Sequence, residues 1–61
     1  MDPDANLRRQ LAIAQAVVHS DADDPTLNEL AELVIALDEW IRAGGFSPAR
    51  WSDALASRRR R

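Results

Sequence analysis

Three prolines, each preceded by a residue whose side chain can cap a helix, divide the chain into three candidate helices. Asp2-Pro3, Asp24-Pro25 and Ser47-Pro48 follow one logic. A carboxylate or hydroxyl oxygen accepts hydrogen bonds from the free N–H groups at a helix start. Proline in the first turn then loses no bond that the helix needed. Asp4 adds negative charge in the first turn, where the helix dipole favours it. The expected helices span residues 3–19, 25–43 and 48–56, in one helical domain over 1–57 followed by a disordered basic tail over 58–61. A competing start for the second helix is Thr26, because Thr26-Leu27-Asn28-Glu29 reads as a capping box.

Apolar spacing supports this division. Leu7, Leu11, Ala14 and Val18 recur every three or four residues and predict one stripe on the first helix. Ala5, Ala12 and Ala16, with Ile13 beside them, form a second surface of smaller residues. The second helix is more strongly patterned: Leu27, Leu30, Val34, Leu37 and Ile41 alternate by three and four, with Leu33 and Trp40 on one side and Ala31 on the other. That apolar arc covers roughly half the helix circumference. One partner with a narrow Leu/Ala/Val stripe cannot cover it. The expected fold is therefore all-α, an antiparallel helical hairpin plus a short C-terminal helix, assembled as a homo-oligomer and most simply as a dimeric four-helix bundle.

Size points the same way. At 61 residues the chain buries only about 60% of the surface it exposes when unfolded, and chains this short usually need disulfides, a metal or a partner subunit. There is no cysteine and one histidine, so neither a disulfide nor a thiolate or multi-histidine metal site is available. No apolar run approaches the ~20 residues of a membrane span, and the acidic start MDPDAN is the reverse of a signal peptide. The expectation is a cytoplasmic protein without a cofactor.

Gly44-Gly45 should end the second helix, since glycine takes the left-handed conformation required there. Phe46 then precedes the Ser47 cap and Trp51 falls at the fourth position of the next helix, the spacing of a hydrophobic staple. Asp38 sits at the edge of the apolar arc, away from Glu29, Glu32 and Glu39, and must find a donor or stay hydrated. Arg8, Arg9 or the indole of Trp51 could supply one. Together with Trp40, Arg42 and Trp51, Asp38 could also form a pocket. Tryptophan faces beside arginine suit a nucleobase with its phosphate, and equally the centre of a protein interface.

Other motifs fail on inspection. Asp21, Asp23 and Glu32 have calcium-loop spacing, but Pro25 and Thr26 stand where that loop must bend. Glu29 and Glu32 lack the histidine of a di-metal bundle, and no phosphate loop or nucleophile elbow is present. Catalysis is not expected. The net charge of −2 conceals a division: residues 1–49 carry −6 and residues 50–61 carry +4. The terminal Arg58, Arg59, Arg60 and Arg61 could bind phosphates without reading sequence. The acidic body opposes that, and no helix carries a basic face with which to read nucleic acid.

The segments DPDANL and LAELVIALDEWIRAGGFSPARW resemble a group of short proteins encoded by actinobacteria and their phages. The shared pattern falls on Asp2, Pro3, Ala5, Asn6, Leu7, Asp38, Glu39, Trp40, Gly44, Gly45, Phe46, Pro48 and Trp51. Asp4 replaces the usual asparagine, and the arginine tail lies outside the resemblance. The resemblance implies a phage-type accessory protein and transfers no mechanism. It also directs attention to Asn6, which the apolar stripe does not require. The candidate ligand- or partner-binding residues are therefore Asn6, Arg9, Asp38, Trp40, Arg42, Phe46 and Trp51. The expected role is a non-enzymatic interaction protein that binds a host factor as well as itself. The alternatives are sequestration of a nucleotide or other phosphorylated signal, and nonspecific nucleic-acid binding through the tail.

Overall fold

A computed structural model describes residues 1–20 and 22–59. Helix α1 spans Pro3–Val18, α2 Asp24–Arg42 and α3 Ala49–Arg59. Among the described residues the regular structure is entirely helical.

The Asp2 carboxylate caps α1, accepting from the N–H groups of Asp4 and Ala5 at 3.0 and 3.1 Å. Helix α2 begins one residue before the expected Asp24-Pro25 cap. Asp23 is the cap, accepting from the Thr26 N–H at 3.0 Å and also from the Thr26 hydroxyl. Thr26 thus lies inside the helix and caps nothing. The second of these bonds, more than the first, holds the Asp23 carboxyl below its ordinary range.

The end of α2 satisfies its carbonyls in a Schellman pattern. Gly44 N–H donates to Ile41 O at 3.1 Å and Gly45 N–H to Trp40 O at 2.9 Å. Gly44 has φ +94°, as that pattern demands. Ser20 takes the same left-handed position after α1, at φ 62°, without glycine's freedom.

Helices α1 and α2 form the antiparallel hairpin. Its apolar centre is Leu7, Ile13 and Leu37. The face that α1 turns to α2 is shifted from the expected Leu7/Leu11/Ala14/Val18 stripe towards Asn6 and Ile13: Leu7 stays buried, while Leu11 and Ala14 are only half-buried. Ile13 is 2% exposed and Val18 78%. The cause is polar. Asn6, buried between the helices, donates from Nδ2 to the Leu33 carbonyl at 3.1 Å. Gln10 Nε2 donates to Asn6 Oδ1 at 2.6 Å and reaches the same carbonyl at 3.4 Å. Asn6, which the apolar stripe does not require, and Gln10 find partners inside the hairpin, and the packing face turns with them.

Helix α3 begins at Ala49, and its capping oxygen comes from elsewhere in the chain. Ala49 N–H donates to Asp4 Oδ1 at 2.7 Å, while the hydroxyl of Ser47 pairs with that of Ser52 at 2.8 Å. The expected Ser47 cap is therefore replaced by a carboxylate from α1. Pro3 and Pro48, the sequence neighbours of the two bonded residues, are both fully buried. The helix continues through Arg58 and Arg59, beyond the expected stop near residue 56. Arg60 and Arg61 of the expected tail lie outside the described residues. No helix among the described residues is long and apolar enough to cross a membrane.

Candidate interaction surface

The hairpin leaves a large part of α2 uncovered. Leu33 and Leu37 turn towards α1, but Leu27, Val34 and Ile41 remain 42%, 48% and 38% exposed. These three stand seven residues apart, a spacing that keeps them on one side of the helix over about 21 Å. On α3, Trp51 and Leu55 are exposed too, one turn apart. Trp51 closes one side of a groove of about 260 Å³ whose other walls are Gln10, Val34, Leu37, Asp38 and Ile41.

A larger groove, of about 570 Å³, runs between α1 and the start of α3. Leu7, Leu11 and Ala12 line it together with Asp4 and Gln15, and Arg8 and Arg50 bring two cations to it. Neither arginine was singled out as a site residue by sequence. They are far apart along the chain and converge only because Asp4 holds α3 against α1.

The candidate residues are dispersed. Arg9 forms a forked ion pair with Glu29 across the hairpin, Nε to Oε2 at 2.6 Å and Nη2 to Oε1 at 2.9 Å. The hydrogen bond from Arg9, and then its charge, holds the Glu29 carboxyl below its ordinary range, and the same contact raises the Arg9 pKa. Arg9 is thereby occupied, so it is not the donor for Asp38. Asp38 instead stands in an exposed ion pair with Arg42, one turn further along α2, at 3.1 Å. Asp38 does share a groove with Trp51.

Trp40 is turned elsewhere. Its indole N–H donates to the Phe46 carbonyl at 2.9 Å, and its ring meets the Phe46 ring edge-on, with centroids 5.6 Å apart. Gly45 lies so close to the indole that a Cβ there would overlap it. The expected Phe46–Trp51 staple is thus replaced by a Trp40–Phe46 pair, because the chain turning through Gly44 and Gly45 lays Phe46 back on the helix it has just left. Asp38, Trp40, Arg42 and Trp51 do not form one pocket: Asp38 and Trp51 share the smaller groove, Arg42 is paired with Asp38, and Trp40 packs on the turn. Arg58 is exposed at the end of α3. Among the described residues no group of three or more His, Cys, Asp or Glu could hold a metal ion.

Comparison with family models, with curated proteins and with solved structures finds no match for this chain.

Proposed function

We propose that this protein is a non-enzymatic interaction module that presents apolar helix surface to a partner helix. The observation that carries this reading is the stripe Leu27, Val34 and Ile41 on α2, with Trp51 of α3 sharing a groove with Val34 and Ile41. Contiguous exposed apolar residues of this kind mark binding surfaces, and an amphipathic helix recognises such a surface through anchors spaced at helical intervals. Aromatic side chains buried at the centre of an interface supply much of the affinity in many complexes. Binding of a host factor by a phage-type accessory protein would use this chemistry.

A photo-cross-linking residue placed at Val34 tests the reading. It should give a discrete adduct, whereas the same residue at Glu39, on the other side of α2, should give none. Equal labelling from both positions, or none from Val34, would refute it.

A second reading rests on the larger groove. Arg8 and Arg50 beside an apolar floor of Leu7 and Leu11 suit a phosphorylated small molecule, with charge on the phosphate and apolar contact for the remainder. Binding of a nucleotide there should raise the melting temperature and change Trp51 fluorescence, and Arg8→Gln with Arg50→Gln should abolish both effects. A flat response across a nucleotide panel would exclude this reading.

A further inference from the structure

We infer that the occupant of the α2 stripe is a second copy of this chain, with the two α2 helices antiparallel and a two-fold axis passing beside Val34. This rests on the interaction reading above and names its partner.

The surface area sets the scale. The chain exposes 4869 Å², whereas a folded monomer of its 6.8 kDa mass exposes about 3,950 Å². The surplus of roughly 900 Å² by that scaling matches the ~800 Å² that each partner buries in a standard interface. The radius of gyration agrees: it is 13.3 Å, against about 10.5 Å for a compact chain of this length. A partner that covers Leu27, Val34, Ile41 and Trp51 would bury part of that surplus.

The direction of pairing follows from charge. A seven-residue repeat suits the shallow crossing of paired helices. In a parallel pair the acidic starts of α2, Asp23 and Asp24, would lie side by side. In the antiparallel pair each acidic start meets the opposite end of the partner helix. Asp24 and Arg42 lie about five whole turns apart and so on the same flank of α2. With the axis at Val34, midway between Leu27 and Ile41, Arg42 comes opposite Thr26 of the partner subunit, about two residues, or roughly 3 Å along the axis, from the partner's Asp24. Leu27 then packs on Ile41 of the partner subunit, and Val34 on its own counterpart. Both copies offer the same patch, as a closed two-fold interface requires. The helix dipoles also oppose one another.

The chain has no cysteine, so introduced thiols report the register directly. Val34→Cys should oxidise to a covalent dimer. Leu27→Cys and Ile41→Cys should each remain uncross-linked alone and should form a heterodimer when mixed. Sedimentation of the unaltered full chain at micromolar concentration should show a dimer. Val34→Glu should shift it to monomer, and Arg42→Glu, an exposed position that leaves the hairpin core untouched, should weaken association several-fold. A folded monomer at those concentrations overturns the inference. So does the parallel pattern, in which Leu27→Cys and Ile41→Cys each cross-link alone and the mixture yields no heterodimer. If the chain is monomeric yet the Val34 photo-probe still marks another protein, the self-pairing fails and the interaction reading survives. If neither is seen, both fail.

Discussion

Gly45→Ala is expected to be among the most damaging single-methyl changes in the chain, and the cause is Trp40. A Cβ at position 45 would overlap the indole ring, so the indole must swing away from the turn. That motion breaks the hydrogen bond from Trp40 Nε1 to the Phe46 carbonyl, worth about 1 kcal/mol. It also breaks the edge-on ring pair, worth about 0.5–1.5 kcal/mol. With some loss of indole burial, the expected cost is about 2–3 kcal/mol. At about 4–8 °C per kcal/mol for a domain of this size, the melting temperature should fall by about 8–24 °C.

The assay is urea denaturation followed by far-ultraviolet circular dichroism, at one fixed protein concentration because association would add to stability. Repeating Gly45→Ala in a Trp40→Ala background isolates the cause. There the three atoms nearest the new methyl, all of the indole, are gone, and the cost should drop below about 0.5 kcal/mol. Gly44→Ala is the control. Nothing surrounds that position, but its φ is +94°, so it should cost about 1–2 kcal/mol with or without the indole. Equal penalties for Gly45→Ala in the two backgrounds would refute the reasoning.

Asn6→Ala should destabilise by about 1–2 kcal/mol through loss of the buried interhelical hydrogen bonds. Asn6→Asp should cost more, because it turns a carboxylate towards the Leu33 carbonyl; equal costs in denaturation would count against the bond. Ser20→Gly should stabilise by about 0.5–1 kcal/mol by relieving a left-handed residue after α1, and a lowered midpoint would contradict this. Asp23 and Glu29 have carboxyls held below their ordinary values of 3.8 and 4.5. Their contribution is therefore complete above those values and is lost as pH falls through the depressed ones. Thermal melts should show a plateau near neutrality and a decline in acid. Glu29→Gln should flatten part of that decline, and an unchanged profile would remove Glu29 from the account.

The sequence alone determined the three helices and their order, with each end placed within one residue except the end of α3, which runs on to Arg59. These are local matters. A cap, a proline in the first turn and a left-handed glycine act within four or five residues, so Asp2-Pro3 and Gly44-Gly45 could be read directly. The excess apolar arc of α2 was legible for the same reason, since helical periodicity places Leu27, Val34 and Ile41 whatever surrounds them.

Tertiary structure decided which side chain answers which. Asn6 and Gln10 became interior only because the Leu33 carbonyl stands opposite them, and that rotated α1 away from its apparent stripe. Arg9 chose Glu29 over Asp38 because the antiparallel crossing sets residue 9 against residue 29. Asp4 caps a helix that begins forty-five residues later, and Phe46 folds back on Trp40 through two glycines. Each of these depends on distances between elements that no periodicity encodes. The turn through Gly44 and Gly45 took Trp40 away from Asp38 and Trp51, and the Asp4 bond to Ala49 drew Arg8 and Arg50 to one groove instead.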